Sequence, residues 1–213
     1  MGRKVTPQQA YDELMFLYTD LLIPFMKIRR DMPFPTEPNR EETDGEHAFT
    51  LSMLALDLNE KLSLGLDSGL IAKYALVHDL VEVHAGDISV RADDNQLAGK
   101  AAAEAESLAK IRSDHAGTSP WMISLIENYE ARSDQESRFV YACDKLVGAF
   151  ARIAGEGARW TEHYPEITGE SYHRVVSILR KKAEAFPELL EFFDHLHNHL
   201  DKLRLEYHAR EEE

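Results

Sequence analysis

Apolar residues recur along this chain at a spacing close to 3.6, and no run of β-branched alternation competes with that period. The pattern predicts an all-α fold. A first helix is expected over about 7 to 29, with Thr6 and Pro7 as its start signal. The segment DMPFPTEPNREETD, beginning at Asp31, carries three prolines and clustered charges and reads as a loop. The next helices fall at about 45 to 63 and about 68 to 84, separated by Gly65 and the capping pair Asp67-Ser68, and Gly86-Asp87 supplies a glycine stop. A polar stretch from Val90 to Gln96 precedes an Ala-rich helix at about 97 to 115. Gly117-Thr118-Ser119-Pro120 opens a short helix ending near Ala131, and Ser133-Asp134 opens a longer one reaching the region of Ala154. An irregular segment follows at about 156 to 169, then final helices over about 171 to 208, divided near Pro187. With no internal repeat and no domain boundary, the expectation is one domain, a helical bundle over about 20 to 155 with a C-terminal helical extension over about 156 to 210.

Charge changes the picture more than composition does. Hydrophobic residues make up 44% and charged residues 29% of 213, which fits a folded soluble chain and argues against disorder. The formal net charge is −14. Such a surface repels nucleic acid and anionic lipid over most of its area, so a phosphate-bearing ligand needs a local source of positive charge. A bound divalent cation is one such source. No stretch approaches about 18 apolar residues, and Met1-Gly2-Arg3-Lys4 leads into no apolar core of a signal peptide, so a cytoplasmic protein without a membrane segment is expected. Gly2 and Thr6 fit a myristoylation pattern only loosely. The single cysteine, Cys143, lies between Ala142 and Asp144 in an apolar run, where a buried inert thiol is expected and not a nucleophile.

Three separate helices offer residues of metal-ligand type. His47 stands near the start of its helix, in Gly45-Glu46-His47-Ala48-Phe49. His78-Asp79 is flanked by Tyr74, Ala75, Leu76 and Val77 on one side and Leu80, Val81 and Val83 on the other. Asp144 lies in Phe139-Val140-Tyr141-Ala142-Cys143-Asp144-Lys145-Leu146. Two of these carboxylates sit in sequence that otherwise favours burial, and a buried carboxylate lacking its partner costs roughly 3–5 kcal/mol. Such positions call for a compensating cation. Imidazole nitrogen with carboxylate oxygen suits one divalent ion of the Zn, Mn, Co, Fe, Ni or Mg type better than a thiolate-seeking metal. Glu82 follows His78 by four residues and Asp79 by three, so it shares their face one turn on and can orient or deprotonate a water. Asp87, just past the helix end, projects towards the same mouth, where it can accept hydrogen bonds from substrate hydroxyls. Taken singly, each residue has a bland explanation: a structural histidine, a chance His-Asp doublet, an Asp144–Lys145 ion pair. Taken in order, the metal reading outweighs these. His195, His197 and His199 offer another cluster, but without acidic apolar context they read as a solvated amphipathic helix. Met53, Leu54, Leu58, Leu146 and Phe150 read as core.

The ordered pattern H…HD…D resembles that of the HD-domain metal-dependent phosphohydrolases, and most of all their 5′-deoxynucleotidase branch. Glu42-Thr43-Asp44-Gly45-Glu46-His47 is similar to that branch's first-ligand segment. His78-Asp79-Leu80-Val81-Glu82-Val83-His84-Ala85-Gly86-Asp87 matches its HDxxEx₃GD signature. Glu127-Asn128-Tyr129-Glu130, Glu136-Ser137-Arg138-Phe139-Val140 and Asp144-Lys145-Leu146 resemble its later run. The resemblance implies His47, His78, Asp79 and Asp144 as metal ligands, Glu82 as the catalytic residue handling the nucleophilic water, Asp87 at the deoxyribose 3′-hydroxyl and Arg30, with Arg29 beside it, at the phosphate. It implies hydrolysis of a deoxyribonucleoside 5′-monophosphate by an HD-type helical bundle, and with the amphipathic helices it suggests a homodimer. Cyclic nucleotides, alarmones or triphosphates as substrates, and a non-catalytic nucleotide-sensing module, are the alternatives. The branch's tryptophan after the arginine is missing from Arg29-Arg30-Asp31-Met32-Pro33-Phe34, which leaves sugar discrimination open, with Phe34 as a candidate replacement.

Overall fold

The computed structural model describes residues 3–88, 94–155 and 169–211. The expected all-α class holds, with one small hairpin added. Helix α1 (Pro7–Leu17) starts at a reciprocal cap: the Thr6 hydroxyl accepts from the Gln9 backbone and the Gln9 side chain accepts from the Thr6 backbone. It runs through a π-helical turn, Tyr18–Leu22, into a last turn, Ile23–Phe25, and ends short of the expected boundary.

The expected loop at Asp31 is instead an antiparallel hairpin, β1 (Arg29–Phe34) and β2 (Glu37–Thr43), pairing Arg29 with Thr43 and Pro33 with Glu41. Its register is irregular on both sides of Pro33, as expected where a proline removes a ladder donor. The Arg40 guanidinium lies 4.1 Å over the Phe34 ring and binds Glu46 at 2.8 and 2.9 Å, tying the hairpin to the next helix.

Helix α2 (Asp44–Lys61) opens at a second reciprocal cap, Thr43 with Glu46, which places His47 one turn inside it. Helix α3 (Ser68–Val77) is capped by Asp67 and followed by α4 (Glu82–Ala85). The two were expected as one helix. Between them Leu80 and Glu82 bond back three residues, to the carbonyls of Val77 and Asp79, at 3.1 and 2.8 Å. This tighter winding brings residues three apart into line, and the buried Ser107 hydroxyl donates to the Val81 carbonyl at the break.

Helices α5 (Asp94–His115), α6 (Pro120–Ala131) and α7 (Gln135–Ala154) follow, then α8 (Gly169–Ala183), a 3₁₀ turn at Pro187–Leu189 and α9 (Leu190–Glu211). The expected irregular segment after Ala154 and most of the polar stretch from Val90 lie outside the described residues. Helix α7 packs against α2, α3, α6, α8 and α9. Leu51, Ile71, Tyr74, Ile126, Phe139, Leu146 and Phe193 are buried around it. Leu146 fulfils its core assignment, whereas Met53 is 55% exposed because it falls on the outer face of α2. No helix among the described residues is long and apolar enough to cross a membrane.

Gly86 ends α4 with φ 76° and ψ 157°, a region essentially closed to residues with a Cβ. Gly86→Ala should cost about 2 kcal/mol, read as a lower urea midpoint at unchanged slope. An unchanged midpoint would show that the turn relaxes freely.

His197 was expected on a solvated face, yet it is buried, packed 4.2 Å from the Phe193 ring centroid, with neither ring nitrogen hydrogen-bonded. Burial, then the Arg152 charge, lowers its pKa to about 4. The folded state therefore keeps His197 neutral where the unfolded chain takes up a proton. Its contribution is complete above about pH 6.5 and is lost as pH falls towards 4, by roughly 3 kcal/mol. A His197→Phe variant should lose that much less stability than wild type between pH 7.5 and 4. Parallel losses would refute the assignment.

Candidate metal centre

The break between α3 and α4, the start of α2 and the middle of α7 converge. Donor atoms of His47, His78 and Asp144 lie within 4.8 Å of one another. The His78 ring is 5.4 Å from that of His47, and the Tyr129 ring stands edge-on to it at 5.9 Å. His78 Nδ1 donates to the Ala75 carbonyl at 2.9 Å, which fixes the tautomer and leaves the Nε2 lone pair free. That Nε2 is buried and has no hydrogen-bond partner. It lies 2.8 Å from Asp79 Oδ2, but the two are not aligned as donor and acceptor.

His47 Nε2 lies 2.9 Å from Asp144 Oδ1, and its Nδ1 lies 3.3 Å from Glu42 Oε2. Glu42, almost fully buried, is thus the outer carboxylate that orients this imidazole. Burial and the Arg30 charge oppose protonation of His47, but Asp144 and Glu42 outweigh them and raise its pKa to about 9. Burial also opposes ionisation of Asp144, yet Lys145, His47 and His78 hold it well below the usual carboxylate range. For Asp79, burial is outweighed by His78 and Arg30, with the same result.

A second acidic group, Asp44, Asp79 and Glu82, adjoins the first. Its charge is already answered. Arg30 Nη1 sits 3.0 Å from Asp44 Oδ1, 2.7 Å from Asp79 Oδ2 and 4.0 Å from Glu82 Oε2. Burial, then the charges of Asp79 and Asp87, raises the Glu82 pKa to about 10. Lys100 reaches Glu82 Oε1 at 3.4 Å and the Ile88 carbonyl at 3.1 Å.

The donor set fits a divalent cation. Two imidazoles and two carboxylates meet where one buried nitrogen has no partner, and nitrogen–oxygen sites of this kind suit borderline and hard divalent ions. The first group is the better seat, because it alone offers imidazole nitrogens, and Asp79 of the second adjoins it through His78 Nε2 at 2.8 Å.

The cavity above these residues measures about 190 Å³. It is lined by five acidic side chains, Asp31, Asp79, Glu82, Asp87 and Asp144, and by five basic ones, Arg30, Lys100, Lys145, Arg152 and Lys182. Asp87 Oδ2 accepts from the Asp31 backbone N–H at 3.4 Å, so the hairpin steadies it at the mouth. Met32 lines this cavity, its methyl close to Gly148 on α7, while Phe34 borders an adjoining pocket instead. Lys145 pairs with Asp144, so the ion pair weighed above as the bland explanation of this doublet is present. Cys143 is buried, with burial and then Asp144 pushing its thiol well up, in keeping with an inert group.

His47, Asp79, Asp144, Glu82, Asp87 and Arg30 therefore line one cavity, with His78 buried beside His47 and Asp144, whereas His195 and His199 are exposed elsewhere. Sequence reasoning passed over Glu42 and Asp44 as contributors, although both stand in the segment leading to His47. It also passed over Lys100 and Lys182, for which local sequence holds no signal.

A family model described as HD domain matches residues 27–189. A 5′-deoxynucleotidase, HDDC2, from Danio rerio is 28% identical over 151 residues, covering 67% of this chain and 73% of that protein. The crystal structure of a protein described as a predicted metal-dependent phosphohydrolase from Magnetospirillum magnetotacticum superposes with a TM-score of 0.73 at 23% identity, covering 93% of this chain and 96% of that one. A conserved hypothetical protein from Pyrococcus furiosus superposes at 0.53 with 22% identity, covering 84% and 98%. The two structural likenesses are likenesses of fold.

Proposed function

The chain belongs to the HD domain family, and from that premise we propose that it is a metal-dependent phosphohydrolase that cleaves deoxyribonucleoside 5′-monophosphates to nucleoside and phosphate. The observation that carries this reading is the unpartnered, buried Nε2 of His78 beside Asp144 and His47, under a cavity of balanced charge. In a protein of formal charge −14, five basic side chains beside five acidic ones make this lining far less negative than the chain as a whole. One divalent ion would add two positive charges, against the about −1.5 to −2 that a phosphomonoester carries at neutral pH. A triphosphate would exceed that match.

His47, His78, Asp79 and Asp144 would hold the ion, which when bound would supply Lewis acidity at the phosphoryl group and lower the pKa of a water. Glu82, nearly buried and aligned with Asp79 across the tightened turn, accepts the proton of that water. As water oxygen bonds to phosphorus, the bond from phosphorus to the ester oxygen breaks, and the departing oxygen takes up the proton that Glu82 received, which restores the carboxylate. Lys100 favours the ionised form of Glu82. Arg30 bonds Asp44 and Asp79 through Nη1 and lines the cavity, where its guanidinium can also meet the phosphate. Asp87 accepts from a sugar hydroxyl at the mouth. The likeness to a 5′-deoxynucleotidase supports the choice of monophosphates and of deoxyribose.

The test is a panel of ribo- and deoxyribonucleoside mono- and triphosphates with cyclic nucleotides, scored for released phosphate in the presence of Mn, Co or Zn. Release predominantly from deoxyribonucleoside monophosphates is expected. Turnover of triphosphates alone would overturn the substrate, and nucleotide binding with a full complement of metal but no turnover would favour a sensing module.

A further inference from the structure

If the cavity takes a phosphate monoester, as just proposed, its basic side chains differ in how far they are already neutralised. Arg30 is bonded to Asp44 and Asp79. Lys145 is paired with Asp144 and lies 4.7 Å over the Tyr141 ring. Lys100 reaches Glu82 at 3.4 Å and Glu104 at 3.5 Å. Lys182 differs from these. It lines the cavity from the last turn of α8, and no carboxylate among the described residues forms an ion pair with it.

Its neighbours on α8 show what the ordinary fate of such a residue is. Arg180 is held by Asp194 of α9 at 2.7 Å. Lys181 and Lys182 are both exposed, but only Lys182 borders the cavity. A lysine at a helix C-terminus interacts favourably with the helix dipole, but that benefit serves Lys181 and Lys182 alike and does not explain why one of them borders an anion-sized space. Partial burial, then the charges of Lys145 and Lys100, holds the Lys182 amine below the usual lysine range. Three ammonium groups from three helices thus share one space, and the third has no counter-charge of its own. An anion entering that space meets one ammonium not already committed to a carboxylate.

We propose that Lys182 is a substrate-binding residue, its ammonium taking a non-bridging oxygen of the phosphoryl group. Helix α8 then completes an anion site begun by the hairpin and by residues of α2, α4, α5 and α7, and a residue far from the ligand motifs sets affinity for the phosphate. The ligand class is a phosphate monoester dianion or the orthophosphate released from it.

Orthophosphate is the probe, titrated calorimetrically into the full chain loaded with Mn. Lys182→Met should weaken its binding about tenfold, the loss of one charge-assisted hydrogen bond. Lys182→Arg should keep most of the affinity, and Lys181→Met should match wild type. In turnover, KM for the monophosphate should rise with Lys182→Met while bound metal and kcat stay near wild type, a split that a merely structural role would not give. Equal orthophosphate affinity in wild type and Lys182→Met, an equal loss in Lys181→Met, or no orthophosphate binding by wild type would each overturn the proposal. Its failure is distinct from that of the proposed reaction: phosphate bound through Lys182 in a protein that hydrolyses no nucleotide would leave this site standing and remove the reaction.

Discussion

His78→Ala is expected to abolish stoichiometric metal binding and to lower kcat/KM for a deoxyribonucleoside monophosphate by about 10³-fold or more, equivalent to roughly 4 kcal/mol of transition-state stabilisation. The side chain is buried, its Nδ1 spent on the Ala75 carbonyl and its Nε2 left 2.8 Å from Asp79 Oδ2 without an aligned hydrogen bond. Removing it deletes a donor that no neighbour replaces. Asp144→Ala should behave in the same way, because the carboxylate faces His47 from a helix packed into the core. Metal content and activity, measured on one preparation whose thermal melting shows an intact fold, must fall together. Loss of activity with the metal retained would mean that these residues act on the substrate and not on the ion.

The second large effect separates binding from chemistry. Glu82→Gln should keep the metal and lower kcat by about 10² to 10⁴, the range for removing a positioned proton acceptor. The side chain is nearly isosteric, so Lys100 and Arg30 lose a charge but not a neighbour. Burial, with Asp79 and Asp87 nearby, raises the Glu82 pKa to about 10. Added positive charge beside it favours the carboxylate that a proton acceptor needs. Should Glu82→Gln lose metal as readily as His78→Ala, Glu82 would belong to the coordinating set and the base would have to be sought elsewhere.

The helices were legible because each carries its own punctuation. Thr6 with Pro7, Asp67, Asp134 and Gly86 all mark ends that appear close to the expected positions. The candidate ligands were legible for a related reason: a carboxylate in an apolar helix contradicts its surroundings, and only a partner resolves the contradiction. What escaped is tertiary. The hairpin from Arg29 to Thr43 hid behind prolines and charges, and it forms an irregular ladder that no alternation announces. The break after Val77 leaves the 3.6 periodicity intact in the letters while changing which residues align, from His78 with Glu82 to Asp79 with Glu82. Met53 follows helical spacing but lands on the outer face of α2. Asp44 and Glu42 looked like ordinary polar residues before a helix, and only the folded chain shows them closing on Arg30 and His47.

The central claim is that one divalent ion is shared by His47, His78, Asp79 and Asp144. Anomalous diffraction from crystals of the Mn- or Zn-loaded protein tests it most directly. A single peak bonded to two imidazole nitrogens and to oxygens of both aspartates is the predicted result. A peak confined to Asp44, Asp79 and Glu82, with His47 and Asp144 outside its coordination, would contradict it.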